Sequence, residues 1–346
     1  MFSKNLKYFR LKNELSKKEL AERTHVSSMA ISNYESGSRK PSMEIMKALA
    51  KELGVKISDF LAVRDENLVF RHGEFRKNVS LSMTKQEYIC EFVEEYLSRF
   101  MSVVEILGGD VLPEAPAHHS LALSNDDEDN AQRMRKHMGL ALDGPIENLI
   151  GILENRGVLV MYCDVNYDNF SGMNGLVNDR PYIVLNSHMT PERNRSNIVH
   201  ELAHVMFVWP KEMDDRVIEK RATAIGGAFL FPKADAIREL GTKRMSVSKD
   251  MRLTAKEYGI SMMLLVTRAK VCSVLSEKAA NNFYIQASQM GWRKNEPTRI
   301  SSEKPTLFAQ LVFRAVSEGD VSAQKGAELL RISYDDVLAE CCFSEE

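Results

Sequence analysis

The stretch "NIVHELAHVMF" narrows the folds open to this chain more than any other feature. In it His200, Glu201 and His204 leave one side of a helix, because residues four apart lie one turn apart on the same face. Two imidazoles so placed can offer two nitrogens to one tetrahedral cation. Glu201 then stands beside the cation rather than on it, where a carboxylate can take a proton from a water polarised by the ion and pass it to a leaving amine. The competing reading is a buried helix that happens to hold two histidines. A working site needs a third ligand, and "DDRVIEKRATAIGGAFLFP" offers Glu219 on a helix whose Ala222, Gly226 and Gly227 allow close approach. Ile198, Val199, Leu202, Ala203 and Val205 would bury such a site and sharpen its electrostatics.

A chain of 346 residues exceeds one ordinary core and is expected to form two or three units. No apolar run approaches the ~18 residues needed to cross a bilayer, and "MFSKNLKYFR" lacks the apolar core of a signal peptide, so a cytoplasmic protein with no membrane partner is expected. Cys90, Cys163, Cys272, Cys341 and Cys342 are scattered, with no C-x-x-C pair, which argues against a disulfide framework and a thiolate zinc site. The net charge of −2 hides an asymmetry: residues 1–62 hold twelve Lys or Arg against seven Asp or Glu, or +5, leaving −7 for the remainder.

From Leu6 to Leu61 short helical runs follow one another: "LKYFRLKN", "SKKELAERT", "SSMAISNYE", "SMEIMKALAKEL" and "SDFL". Ser16 with Glu19 forms a capping box, and Pro41-Ser42 marks another start. Leu15, Leu20, Ala21, Val26, Ile31, Ile45, Leu49 and Leu53 fall on a shared core face. Residues 63–83 read as irregular and 84–107 as one long amphipathic helix, with Ile89, Val93, Tyr96, Phe100, Val103 and Leu107 in seam spacing. That seam is either a homodimer contact or packing on the chain's own next domain, with Phe92, Leu97 and Val104 widening the stripe. "GGDVLPEAPAHHSLALSNDDEDN" reads as a linker, and its acidic "SNDDEDN" as exposed, mobile and open to self-cleavage within residues 62–130. Residues 131–157 read as helix stopped by Gly157. Strands are expected at "VLVMYCDV", "FSGMNGLV" and "PYIVLN", the last two joined by a turn at Asn178-Asp179. Helix follows from Pro191 to about Met290 and again from Thr306 to Glu340. "DVSAQKGAELLRISYDDVL" has the rhythm of a second helix-turn-helix but lacks a basic face. His118, His119, His137 and His188 read as solvated or packed.

"NIVHELAHVMF" followed by "EKRATAIGGAFLFP" resembles the ImmA/IrrE family of metallopeptidases, whose pattern is HELxH, then E-x-x-A and a closing Leu-x-Pro. The similarity covers roughly residues 130–290. It implies a zinc endopeptidase with one Zn2+ per chain, or Mn2+ in its place, His200, His204 and Glu219 as ligands, and Glu201 as general base. Thr223 and Ile225 stand where that family usually shows Asn or Asp and Phe. No Tyr or His is placed by spacing to stabilise an oxyanion.

Residues 15–37, "LSKKELAERTHVSSMAISNYESG", resemble the XRE class of helix-turn-helix regulators, with Glu35 and Gly37 closing the recognition helix. His25 stands at the turn where that class favours Gly, and histidine tolerates left-handed backbone. By position Ser28, Met29, Ser32 and Asn33 would reach base edges, Asn33 pairing with an adenine, and Lys17, Arg39 and Lys40 would hold phosphates. The alternatives for those charges are a solvated face or a protein-docking module.

The expected fold is mainly α with a small β-sheet (α+β). Residues 1–62 form an all-α helix-turn-helix domain, 63–129 a connector with the 84–107 helix, 130–290 a zincin-like metallopeptidase domain and 291–346 a helical C-terminal region. Two functions fit. One is a DNA-binding regulator, dimeric on a double-stranded operator, whose endopeptidase cuts a helix-turn-helix repressor or the chain itself. The other is a non-proteolytic repressor or antitoxin whose peptidase-like domain serves as sensor or dimerisation body.

Overall fold

The computed structural model describes residues 1–62, 64–65, 67–73, 81–167, 169–292 and 294–342, so part of the stretch expected to be irregular, 63–83, lies outside the described residues. The chain is α+β, with a small mixed sheet among many helices, as expected. It divides into two compact units: Met1–Leu112 together with Phe308–Glu346, and Pro113–Leu307.

The first unit begins with α1 (Phe2–Lys12), α2 (Lys17–Arg23), α3 (Ser28–Glu35), α4 (Met43–Leu53) and α5 (Ile57–Phe60). Hydroxyl caps start three of them. Ser16 and Glu19 close the capping box on α2, Ser27 accepts from Ala30 N, and Ser42 accepts from Ile45 N. Helices this short are marginal alone, and burial of one face makes them hold. Leu6, Leu20, Ile31, Leu49 and Phe60 are fully buried, while Val26 and Ile45 are only half-buried. His25 turns α2 into α3 at φ 55° without a glycine, as expected of histidine.

After the short strand β1 (Phe70–His72) comes α6 (Met83–Ile106), started by Ser82. Its seam is not a free dimer face: Ile89, Val93, Phe100 and Val103 are 0–3% exposed inside the same unit. α1 packs on α6, with Tyr8 and Tyr88 stacked at 6.2 Å, and Lys7 pairs with Glu87 at 2.6 Å. The C-terminal helices α15 (Leu307–Glu318), α16 (Ala323–Leu330) and α17 (Tyr334–Cys341) return to this unit. Phe308 sets its ring 5.2 Å from both Tyr96 and Phe100. Arg331, left-handed at φ 58°, ends α16 and donates to Tyr8 Oη at 2.8 Å and to Glu95 Oε1 at 2.7 Å. The tail read from sequence as packing is packing, and its partners are α1 and α6.

The second unit holds the sheet. Strand β3 (Leu159–Cys163) runs parallel to β5 (Arg180–Asn186), and β4 (Gly172–Val177) antiparallel to β5, so β5 is central among these three. β4 and β5 meet through Asn178 and Asp179, at φ 46° and 63°, the pair of left-handed residues that a two-residue hairpin needs. β5 carries Tyr182, Ile183, Val184 and Leu185, each fully buried, as suits a central strand covered on both faces. A two-residue strand β2 (Leu121–Ala122) pairs in parallel with β6 (Phe207–Val208).

The acidic stretch is not a mobile linker. Asp126 caps α7 (Asp127–His137), whose first turn is Asp127, Glu128 and Asp129, where carboxylates meet the unsatisfied amides and positive end of the helix. Asp127 also binds Arg221 at 2.6 Å, and Glu128 binds the buried Arg268 at 2.5 Å. The single helix expected over 131–157 is two, α7 and α8 (Leu149–Asn155), with Gly157 at φ 77° after the second. The remaining helices are α9 (Pro191–Met206), α10 (Asp215–Leu230), α11 (Lys233–Leu240), α12 (Met251–Glu257), α13 (Met262–Val271) and α14 (Glu277–Gln289). No helix among the described residues is long and apolar enough to cross a membrane.

Candidate metal centre

α9 starts where Thr190 accepts from Arg193 N, with Pro191 at the first helical position and Glu192 in the first turn. Its apolar side is lost to the core: Ile198, Val199, Leu202, Ala203 and Val205 are 0–4% exposed. It packs on β4, β5 and α10. Gly226 lets α10 come this near, since a Cβ there would lie 3.0 Å from Val199 Cγ2 and 3.4 Å from the His200 amide nitrogen. Gly227 faces the other way, toward Arg268 and Leu264 on α13. The end of α10 is fixed by two buried arginines, Arg135 donating to Phe229 O at 2.7 Å and Arg268 to Phe231 O at 2.8 Å. They satisfy carbonyls that a helix end leaves without partners.

This packing brings His200, His204 and Glu219 together. His200 Nε2 and His204 Nε2 are 3.1 Å apart, His200 Nε2 lies 3.4 Å from Glu219 Oε2, and His204 Nε2 lies 3.2 Å from Glu219 Oε1. An ion with bonds of ~2.0–2.1 Å in tetrahedral array needs ligand atoms about 3.3 Å apart, so two imidazoles and a carboxylate at these separations fit a divalent cation. They form the one group of three or more potential ligands of this kind among the described residues. His200 is nearly buried, and the side chains of His204 and Glu219 are 18% and 28% exposed, so the cluster opens to solvent on one side. The His204 ring also lies 5.7 Å from that of Trp209.

Glu201 stands apart from the three. It is 4% exposed, and its Oε2 accepts from Asn174 Nδ2 on β4 at 2.7 Å. Gly172, on the same strand, also lies beside it: a Cβ there would touch Glu201 Cγ at an ordinary 3.6 Å and press on Val184 O at 3.0 Å. Sequence reasoning missed Asn174, since no local pattern sets an asparagine on this strand against Glu201. Thr223 Oγ1 lies 3.1 Å from His200 Nδ1 and donates to Glu219 O at 2.9 Å. Of the other histidines singled out, His119 Nδ1 faces Phe207 O at 2.9 Å and His188 Nε2 faces Asp164 at 2.7 Å; none is in the cluster.

In the first unit, Ser28, Met29, Arg39 and Lys40 are exposed, Met29 at 69%, while Ser32 and Asn33 are half-buried. Behind that face Ile31 and Tyr34 are buried, and Glu35 is gripped by Arg10 through Nε at 2.5 Å and Nη2 at 3.0 Å. Lys17 reaches α3 itself, its Nζ 3.3 Å from Ser32 Oγ and 3.6 Å from Glu35.

A helix-turn-helix domain and an α+β domain that gathers the HExxH histidines and a downstream glutamate define a two-part class. Residues 6–60 match the family model described as helix-turn-helix, and residues 153–270 that of the IrrE N-terminal-like domain. The chain therefore joins an XRE-type helix-turn-helix domain to an IrrE-type peptidase-like domain. The HTH-type transcriptional activator BcrR of Enterococcus faecalis is 35% identical over 78 residues, which cover 22% of this chain and 38% of that protein. The chain thus spans well under half the length of that curated relative.

Proposed function

We propose that the chain is a DNA-binding transcriptional regulator carrying a zinc-dependent endopeptidase. The observation that carries the reading is the convergence of His200, His204 and Glu219, with Glu201 held beside them by Asn174. Under this reading those three residues hold one Zn2+, or Mn2+ in its place. The ion when bound supplies Lewis acidity, which makes water a nucleophile near neutral pH and polarises a peptide carbonyl. Glu201 takes the proton from the attacking water and delivers it to the leaving amine nitrogen. Asn174 fixes the plane of that carboxylate, and the buried apolar shell of α9 keeps competing water away.

At the other end, α3 enters the major groove, with Ser28, Met29, Ser32 and Asn33 toward base edges and Lys17, Arg39 and Lys40 toward phosphates. A single short helix reads few bases, so the operator is expected to hold two half-sites for a homodimer. Because α6 keeps its seam within its own unit, that dimer would use another surface. The protein substrate is expected to be a helix-turn-helix repressor or a second copy of this chain. The second reading, a non-proteolytic repressor or antitoxin with a sensing domain, differs in metal content. Metal analysis of the purified chain, with zinc- or manganese-dependent cleavage of repressors encoded beside it, decides between them. One metal per chain and cleavage that depends on Glu201 support the first, and a folded chain without metal supports the second.

A further inference from the structure

Resting on that metal reading, we infer that Thr223 is a positioning residue that sets the tautomer of His200. A hydroxyl has one proton and two lone pairs. Thr223 Oγ1 lies 2.9 Å from Glu219 O, and a carbonyl oxygen only accepts, so the hydroxyl proton points there. What Oγ1 turns to His200 Nδ1 at 3.1 Å is a lone pair, and Nδ1 must carry the hydrogen of that contact. In a neutral imidazole the other nitrogen is then bare. That nitrogen is Nε2, the atom that faces His204 and Glu219. Residue 219 thus acts twice, its carboxylate joining the cluster and its carbonyl, through Thr223, orienting a ligand on the neighbouring helix.

The partner is also neutral. A carboxylate in this place would make the imidazole more basic, whereas a hydroxyl fixes its direction and adds no charge. The His200 contact therefore contributes through orientation alone, and its loss is legible without any reaction.

The test compares the full chain with Thr223→Val, which keeps the branched shape and removes the hydroxyl, and Thr223→Ser, which restores it. Thr223 is exposed on α10, so neither change disturbs a core, and melting of the metal-free proteins checks this. Zinc affinity is measured by competition with a chromophoric chelator, and the His200 tautomer by long-range proton–nitrogen NMR of the metal-free protein. We expect Thr223→Val to bind zinc about 10–100-fold more weakly and Thr223→Ser to stay within a few-fold of wild type. In the NMR, His200 carries its proton on Nδ1 in wild type and Ser, and becomes a mixture in Val. Wild-type affinity and an unchanged tautomer in Thr223→Val overturn the inference, as does a serine variant as weak as valine. If the folded wild type takes up no zinc, the metal reading fails instead, and the NMR comparison still decides the role of Thr223.

Discussion

α3 and α9 begin in the same way and end up facing opposite ways. Ser27 caps one by accepting from Ala30 N, and Thr190 caps the other by accepting from Arg193 N. α3 keeps only Ile31 and Tyr34 in the core and leaves its other residues exposed or half-buried, whereas α9 buries His200 and Glu201 with most of its length. An outward-facing site needs rigid backing and little else, which the Arg10–Glu35 pair supplies. An inward-facing site must have its partners brought by other elements: Asn174 by β4, Glu219 and Thr223 by α10. Substitutions on the first should act one residue at a time, and those on the second through a network whose effects do not add.

The sharpest test of the inward site is Glu201→Gln, which should lower cleavage by about 10²–10⁴-fold while zinc content stays at wild type. His204→Ala should lose both. Equal zinc in the two variants would show that His204 is no ligand, and the network picture would fall with it.

On the outward side the backing should matter more than any reading residue. Glu35→Ala leaves the nearly buried Arg10 guanidinium without its carboxylate, and breaking such a pair costs about 3–5 kcal/mol. Denaturant melts of the first unit's signal should show that loss, with operator binding failing as the unit unfolds. A change under about 1 kcal/mol would mean the clamp is dispensable and α3 is held by apolar packing alone. Asn33→Ala should be milder, about 1–3 kcal/mol in operator affinity and confined to sites with the matching adenine. Equal weakening on every sequence would move Asn33 from base reader to phosphate contact.

The smallest effect concerns the packing behind the sheet. Burial holds the Cys163 thiol far above its ordinary value, and burial also pushes the half-buried Cys90 up to about 11. Neither forms appreciable thiolate at pH 8, so Cys342, which is exposed, should alkylate first and Cys163 only on unfolding. Early labelling of Cys163, followed by mass spectrometry, would show that β3 opens far more readily than its burial implies.

Much of this was legible because it is local. The capping box at Ser16, the left-handed turn at His25, the Asn178-Asp179 hairpin and the i, i+4 pair of His200 and His204 are set by neighbours in sequence. Glu219 was found through spacing and small residues. Asn174 was not, because nothing near it in sequence says that its strand will lie against Glu201. The acidic run at Asp126–Asp129 misled for a related reason. Its composition is that of a linker, while its position, ahead of a helix and opposite Arg221 and Arg268, makes it a cap, and both arginines are remote in sequence. The seam of α6 likewise carried no sign that its cover would come from α1 and from residues past 307.

That last arrangement has a consequence for synthesis. The second unit is one continuous stretch and emerges from the ribosome with everything it needs, but the first is interrupted by it. Phe308, which covers Tyr96 and Phe100, and Arg331, which ties Tyr8 to Glu95, are translated only afterwards. At ~5–20 residues per second that leaves the face of α6 waiting roughly 10–40 s for its cover. Termination near residue 307 therefore does not produce a reader lacking its peptidase-like partner. It produces a completed peptidase-like unit tethered to a reader whose long helix still shows its apolar side, a species for chaperones and proteases to meet first.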